Sequence, residues 1–154
     1  MNQVSLPIRR LAPRDVDGLS SLFTAFERAG YQKNFHPHLF DRATASEICA
    51  SSGRDYYCCG WDGPVAVSYG MLRGFDGGYA VPSLGIATHP NRCRAGLARN
   101  MMHHLHSMAR MLGATKIMLK VYPENHAAID LYASVGYVFE QAIAAGQRIG
   151  YCTV

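Results

Sequence analysis

Residues 88–112 read THPNRCRAGLARNMMHHLHSMARML, in which a proline and a short basic run with one glycine precede a long helical pattern. Arg92, Arg94 and Arg99 surround Gly96 at the point where that helix begins. The first amide groups of a helix have no partner within it and carry a partial positive charge. Because small residues let a ligand approach the backbone, the segment predicts a binding site for an anion such as a pyrophosphate.

The helix after Gly96 is the clearest element of the chain. Its apolar side chains recur at intervals of three or four residues, at Leu97, Met101, Leu105, Met108 and Leu112. This spacing is typical of an amphipathic helix that lies on a core, and Gly113 is expected to end it.

Periodicity and turn residues predict the elements on either side. Strands are expected at 4–10, 55–61, 65–73, 79–88, 116–121, 137–143 and 147–153. Pro13 opens a helix that ends at Gly30, and two further helices are expected over 42–51 and 126–135. Residues 31–40, YQKNFHPHLF, show no period and are expected to form a loop. The resulting order, β-α-α-β-β-β-α-β-α-β-β, predicts a single α/β domain over 1–154 with mixed strand directions.

Composition and charge narrow the class of protein. The chain is 49% hydrophobic and only 17% charged, which predicts a packed core rather than disorder. A net charge of +4 suits an anionic small molecule and is weak evidence for a nucleic-acid partner. Five cysteines without a C-x-x-C pair indicate reduced thiols. With no apolar run of membrane-spanning length and no signal-peptide core, we expect a soluble cytoplasmic protein without a membrane partner.

Two segments together resemble the GNAT superfamily, the acyl-CoA-dependent N-acetyltransferases. They are IATHPNRCRAGLARNMM at 86–102 and KVYPENHAAIDLYASVGYVFE at 120–140. In that family a strand ends in a hydrophobic-x-Pro phrase, and a Q/R-x-x-G-x-G/A loop opens the long helix. Downstream comes Asn and then A-x-x-L-Y-x-x-x-G-F/Y, matched here by Asn125, Ala128, Leu131, Tyr132, Gly136 and Tyr137. The resemblance implies an α+β, GNAT-like fold: a mixed, mostly antiparallel twisted sheet of about seven strands flanked by about four helices.

The loop departs from the family pattern at its first position. It aligns as Cys93-Arg94-Ala95-Gly96-Leu97-Ala98, with Cys where the family has Gln or Arg. Arg92 lies one place earlier and could supply the charge with a different geometry. Because such a loop holds its anion mainly through backbone amides, we expect binding to survive.

The resemblance also implies that the anion is coenzyme A and that acetyl-CoA is the co-substrate. Backbone amides at the helix start would hold the pyrophosphate, namely those of Arg94, Ala95, Gly96, Leu97, Ala98 and Arg99. The end of the fourth strand would pair with the pantetheine arm through Ile86, Ala87 and Thr88, and Asn125 would contact the arm from the other side. Gly85 indicates a bulge or a close backbone approach; a bulge would free an amide to polarise the acetyl carbonyl.

Acetyl transfer needs a neutral amine and a proton for the leaving thiolate. Tyr132 holds the position of the family's catalytic tyrosine, and its phenol is protonated at neutral pH. The fourth strand offers no Glu or Asp as a base, so His36 and His38 in NFHPH are the candidates, because imidazole titrates near neutral pH. The alternative is that both are loop histidines held by backbone bonds.

Other conspicuous side chains favour structural interpretations. His103, His104 and His106 lack a nearby carboxylate or Cys to complete a metal site, so we expect a solvated helix face and no metal. Tyr31, Phe35 and Phe40 either line an acceptor pocket or anchor the loop.

The expected acceptor is the primary amine of a neutral or anionic small molecule. Aromatic side chains suit a sugar, and PSLGIATHP with FHPH resembles acetyltransferases of amino-sugar pathways, so an amino sugar or nucleotide-linked amino sugar is one candidate. A protein N-terminal acetyltransferase is an alternative and predicts an open, acidic groove. A non-catalytic acyl-CoA-binding module is another, supported by Cys93. Three arginines are too few to favour a nucleic-acid partner, and a homodimer through the last strands is compatible with the resemblance.

Overall fold

The structure, a computed structural model, describes residues 6–93 and 95–154. Its strands are β1 (Ile8–Arg10), β2 (Tyr56–Asp62), β3 (Val65–Arg73), β4 (Ser83–Thr88), β5 (Lys116–Val121), β6 (Val138–Ala144) and β7 (Gln147–Thr153). Its helices are α1 (Val16–Arg28), α2 (Arg42–Ala50), α3 (Leu97–Met111) and α4 (His126–Ser134). Within the described ranges, no helix combines the length and apolar character needed to cross a membrane.

The strands form one twisted sheet in the order β1-β2-β3-β4-β5-β7-β6. Neighbouring strands are antiparallel except β4 and β5, which run parallel and are bridged in the described chain by one residue pair, Ser83 with Met118. Beyond that pair the two strands no longer share a ladder. The sheet confirms the predicted mostly antiparallel, seven-stranded architecture and contains a gap near its centre.

Helices cover both faces of the sheet because buried side chains alternate along the central strands. On one face, α3 buries Leu97, Met101 and Leu105 of the predicted stripe, while Met108 and Leu112 are half-buried. A side chain on Gly70 of β3 would lie 2.5 Å from the Met101 sulfur, so this glycine lets α3 lie close against the sheet. On the other face, α1 and α2 pack through a second core cluster that contains four buried α1 side chains, Leu19, Leu22, Phe23 and Phe26.

Some predicted boundaries were wrong. The fourth strand begins at Ser83 rather than at residue 79, because Pro82 cannot donate to a ladder and residues 79–82 are irregular. Pro13 opens a short 3₁₀ turn, and α1 begins only at Val16. The first strand covers only Ile8–Arg10 of its predicted range, in which residues 4 and 5 lie outside the described chain.

The bulge predicted at Gly85 was also wrong. Pairing between β3 and β4 runs without a register shift from Ser68–Thr88 to Arg73–Ser83. The glycine instead permits a close approach, because an added Cβ would lie 2.7 Å from Met71 Cε and 3.1 Å from Phe35 Cε2. Phe35 belongs to the α1–α2 loop, so Gly85 is one of the points at which that loop contacts the sheet.

Two histidines of α3 take part in the fold rather than in a solvated face. His106 is buried, with Nε2 2.9 Å from the Tyr137 hydroxyl, and half-buried His104 places Nε2 2.7 Å from the Tyr56 hydroxyl. Only His103 of the three is exposed, as expected. Burial lowers the pKa of His106 and of His104 below the ordinary histidine value.

These histidines predict a loss of stability in mild acid. Because the folded-state pKa of His106 is depressed, the unfolded chain binds its proton more readily. The stabilisation is therefore present above the unfolded pKa of about 6.5 and is lost as the pH falls below it. Urea unfolding at about pH 7.5 and about pH 5.5 should give a smaller free energy of unfolding in acid, by at most about 1.4 kcal/mol per pH unit for each proton.

His106→Gln should reduce that pH dependence, because it removes the buried titrating group. His103→Gln is the comparison variant: it removes an exposed imidazole whose charge lowers the pKa of His106 less than burial does, so it should reduce the pH dependence less than His106→Gln does. Equal pH dependence in the wild type and His106→Gln would contradict the assignment.

Candidate active site

The gap between β4 and β5 leaves backbone groups of β4 without a strand partner. The Met118 amide donates to the Pro82 carbonyl at 3.0 Å, and backbone groups of alternate residues point the same way along a strand. The amide and carbonyl of Ile86 therefore face β5 at a level where the ladder has ended. Thr88 follows the same alternation, and its carbonyl accepts a 2.7 Å hydrogen bond from the Tyr31 hydroxyl of the α1–α2 loop.

A cavity of about 540 Å³ occupies this gap. It brings together most of the predicted site residues: Ile86, Ala87, Thr88, Gly96, Leu97, Ala98, Arg99, Asn125 and Tyr132. Ala95 is exposed and does not line the cavity, and Arg94 lies outside the described residues. Segments distant in the chain thus converge on one space.

The start of α3 forms one part of the lining of this cavity. Gly96 immediately precedes the helix with a φ of 78°, a left-handed conformation that glycine adopts at low cost. The first hydrogen bond of the helix runs from the Asn100 amide to the Gly96 carbonyl, at 3.1 Å. The amides of the three helical residues before Asn100 therefore have no helical carbonyl to bind. These amides and the positive end of the helix suit the pyrophosphate of coenzyme A.

The arginines beside the cavity have other partners as well. Arg92 Nη2 lies 2.8 Å from Asp62, so part of its charge is directed toward the end of β2 rather than to the loop position that Cys93 leaves uncharged. Arg99 Nη2 donates to Ser134 Oγ at 3.0 Å and thereby links α3 to α4. Both arginines line the cavity and add positive charge at its rim.

Cys93 lies at the same rim and is exposed. Its sulfur is 3.7 Å from the Tyr31 hydroxyl and 3.7 Å from the His89 carbonyl. Burial, with a smaller contribution from Cys93, raises the pKa of Tyr31 well above its ordinary value, so the phenol remains a donor to Thr88. The non-consensus cysteine is thus accommodated beside a tyrosine that ties the α1–α2 loop to β4.

Tyr132 lies deep in the cavity wall, 9% exposed, with its ring 5.9 Å from that of Tyr137. Burial raises the pKa of Tyr132 to about 12, so the phenol keeps its proton at neutral pH. The side chain of Asn125 accepts a 3.4 Å hydrogen bond from the Ala128 amide and caps α4, the helix that carries Tyr132. The sequence phrase from Asn125 to Tyr132 therefore forms one local unit that positions a proton donor.

A second cavity of about 240 Å³ adjoins the first. The two share Asn34, Phe35 and Lys120, and the smaller one also contains His36 and Gln147. Phe35 forms part of both walls, whereas Phe40 is buried against Phe23 and anchors the loop. Of the aromatic residues that could line a pocket or anchor the loop, Phe35 therefore lines the cavities and Phe40 anchors the loop.

The two candidate bases lie in different surroundings. His36 is exposed at the second cavity, with Nε2 2.7 Å from the Tyr122 hydroxyl. His38 binds the Leu39 carbonyl through Nδ1 at 2.8 Å and the Tyr69 hydroxyl through Nε2 at 2.9 Å. Its pKa is lowered by burial, and it lines a separate cavity of about 200 Å³. The structure therefore brings His36, but not His38, beside the space that contains Tyr132.

Sequence reasoning missed Lys120, Tyr122 and Gln147. The alternation in KIMLKV already placed Lys120 on the face opposite the buried Ile117, but it did not show which face the acceptor would use. In the described ranges, no group of three or more His, Cys, Asp or Glu side chains is arranged to hold a metal ion.

Comparison with known proteins connects this geometry to a family. The model of the acetyltransferase (GNAT) family matches residues 17–137. A search of curated proteins finds no match. Among solved structures, the GNAT domain of S. lividans PAT aligns over 96% of this chain and 89% of that domain, with a TM-score of 0.81 and 14% identity.

Two further structures show the same fold. The PaiA N-acetyltransferase from Thermoplasma acidophilum, solved in complex with coenzyme A, has a TM-score of 0.79 and 13% identity over 98% of this chain and 100% of that one. The ribosomal-protein-S18-alanine N-acetyltransferase from Escherichia coli has a TM-score of 0.72 and 19% identity over 97% and 94%. Because the family model covers most of its length, the chain belongs to the GNAT family of acyl-CoA-dependent N-acetyltransferases.

Proposed function

We propose that the protein transfers the acetyl group of acetyl-CoA to the primary amine of a small molecule bound in the second cavity. The observation that carries the proposal is the junction of the two cavities at Asn34, Phe35 and Lys120. One cavity contains an anion-binding helix start and Tyr132, and the other contains an exposed imidazole. An acyl donor and an amine would meet where the two spaces join.

In this proposal the larger cavity binds acetyl-CoA, which supplies the thioester. Backbone amides at the start of α3 would hold the pyrophosphate, from Ala95 to Arg99, together with Arg94, which lies outside the described residues. Ile86 would present its amide and carbonyl to the pantetheine arm, with Ala87 and Thr88 beside it, and Asn125 would contact the arm from the other side; all four residues line this cavity. The T. acidophilum relative, solved with coenzyme A, supports this use of the fold.

Two side chains would carry the proton transfers. Tyr132 would donate its phenolic proton to the leaving thiolate as the carbon–sulfur bond breaks. His36 would accept the proton that the amine loses as the carbon–nitrogen bond forms; with Nε2–H donating to the Tyr122 oxygen, its Nδ1 lone pair is free for this role. The Ile86 amide would donate to the carbonyl oxygen where charge develops.

The dimensions and charge of the second cavity favour a small acceptor over a protein N-terminus. The described residues that line it include no Asp or Glu to attract a basic peptide, and its volume of about 240 Å³ suits a compact molecule. Phe35 offers an aromatic face for a sugar ring, which supports an amino sugar or a nucleotide-linked amino sugar. A panel of amino sugars, amino acids and N-terminal peptides tests this choice, and turnover with peptides alone would refute it.

Gly96→Asp should abolish acetyl-CoA binding measured by calorimetry, because a carboxylate would enter the proposed pyrophosphate site. Gly113→Asp is the matched control: it places the same side chain on a left-handed glycine, with a φ of 91°, just after the other end of α3. Binding that survives Gly96→Asp, or that Gly113→Asp abolishes equally, would contradict the site.

Tyr132→Phe should lower kcat by roughly a hundredfold, since a positioned general acid typically contributes at least that factor. The dissociation constant of acetyl-CoA should change little, because the ring and its packing are kept. Single-turnover kinetics with the best acceptor of the panel would separate chemistry from product release. An unchanged chemical step would remove Tyr132 from the mechanism.

His36→Gln should lower kcat/KM at neutral pH by roughly a hundredfold, because the group that accepts the proton of the amine is gone. His38→Gln is the paired variant: it alters a histidine whose ring nitrogens are bonded within the fold, so it should lower thermal stability more than it lowers turnover. The opposite pattern, with the larger loss of turnover in His38→Gln, would reassign the base.

A further inference from the structure

Lys120 lines both cavities but has no part in the proton transfers assigned to Tyr132 and His36. Its neighbours Leu119 and Val121 are buried toward α3, so alternation along β5 directs Lys120 to the opposite face of the sheet. The side chain is exposed and lines both cavities. It is therefore a cation at the junction between the donor and acceptor spaces.

The register of the sheet places Lys120 away from the pyrophosphate site. Ser83 pairs with Met118, so Lys120 lies at the level of Gly85, two residues further along each strand. The start of α3 lies beyond Thr88, at the far end of β4. Lys120 is thus beside the acceptor cavity, where Gly85 is also found, rather than beside the helix start.

The charges around Lys120 leave its ammonium available to a ligand. Among the residues that the structure describes, the ion pairs are Arg9–Asp15, Arg42–Asp17 and Arg92–Asp62, and none involves Lys120. No described Asp or Glu lines the acceptor cavity, whose other polar side chains are neutral amides, a hydroxyl and an imidazole: Asn34, Gln147, Ser83 and His36. An exposed cation at the edge of a cavity, with no carboxylate in the described lining, attracts an anionic ligand to that cavity.

We propose that the acceptor is an amine that also carries a carboxylate or phosphate, and that Lys120 binds this anionic group. The inference rests on the proposed function and adds the substrate class. Lys120 Nζ donates to the anion, and Gln147 and Ser83 offer further hydrogen bonds. Binding the anion at Lys120 fixes one end of the acceptor and leaves its amine free to reach the gap at Ile86.

A cation at this position also favours the reactive form of the acceptor. A like charge nearby disfavours a protonated amine, so the ammonium form is penalised beside Lys120 while the neutral amine is not. The same side chain would therefore attract the anionic end of the molecule and lower the pKa of its amine. Both effects disappear when the charge is removed.

The test compares anionic and neutral acceptors in matched pairs. Glucosamine 6-phosphate with glucosamine probes a phosphate, and an α-amino acid with its amide probes a carboxylate. For the wild type, kcat/KM should be larger for the anionic member of at least one pair. Lys120→Gln should lower that value about tenfold, the effect of losing one charge-assisted hydrogen bond, and should change the neutral member much less.

Lys116→Gln is the control variant. Lys116 lies on the same strand and the same face, but its ammonium sits 4.2 Å from the centre of the Tyr151 ring at the other end of β5. Lys116→Gln removes an equal charge from a residue that lines neither cavity, so kcat/KM should stay at the wild-type value. Calorimetry with acetyl-CoA on both variants, and thermal melts, show whether the cofactor site and the fold are intact.

Each outcome decides between the proposals. A wild-type preference for the neutral members, or an equal loss for both members in Lys120→Gln, overturns the role of Lys120 while leaving acetyl transfer to small amines in place. Weaker acetyl-CoA binding in Lys120→Gln with an equal loss for every acceptor assigns the lysine to coenzyme A instead. Acetyl-CoA binding without turnover of any small amine refutes both this inference and the proposed function.

Discussion

The separation of β4 from β5 is the constraint on which the rest of the site depends. A central strand that lacks a partner leaves amide and carbonyl groups unsatisfied, and this is costly unless something else binds them. Here the ladder ends after Ser83 and Met118, and the backbone of Ile86 faces a cavity instead of a strand. Antiparallel ladders hold β4 to β3 and β5 to β7, so each side of the gap belongs to a rigid half-sheet. Such a gap suits an extended ligand that brings its own hydrogen-bonding groups.

Contacts from the α1–α2 loop give the groove its second side. Tyr31 binds the Thr88 carbonyl, and Phe35 reaches the sheet where Gly85 has no side chain. Further along, His36 meets Tyr122, which follows β5, so the loop crosses the gap and contacts both half-sheets. Buried aromatic packing of Phe40 on α1 holds the loop in place. The second cavity thus depends on a loop that Phe40 anchors to α1.

The sequence predicted the parts of this site that are local. Gly96 before a periodic helix, and the phrase from Asn125 to Tyr132, each form within a few residues, and both line the cavity as expected. Features that depend on residues far apart in the chain could not be predicted from the sequence. His106 looked like a flanking polar residue, but its burial is satisfied by Tyr137 from another segment. Gly85 predicted an irregular backbone, yet the strand is regular. The glycine is needed because Phe35 of the α1–α2 loop packs against it. His36 and His38 were equivalent in sequence because an irregular loop has no period that assigns faces.

The electrostatics of the two cavities connect acid, base and substrate. Burial keeps Tyr132 protonated, and the described walls contain cations and neutral groups but no carboxylate that would stabilise an ammonium ion. An acceptor must therefore give up its proton on or before binding, and the cost of doing so rises with the pKa of its amine. A lysine side chain, at about 10.4, is therefore at a disadvantage as an acceptor. The amine of an amino sugar lies next to electron-withdrawing oxygen substituents, so it meets this requirement with less help from a base. Under the proposed mechanism a single exposed imidazole at His36 would then be sufficient, and the absence of an acidic residue on β4 would select acceptors whose amines lose their proton readily.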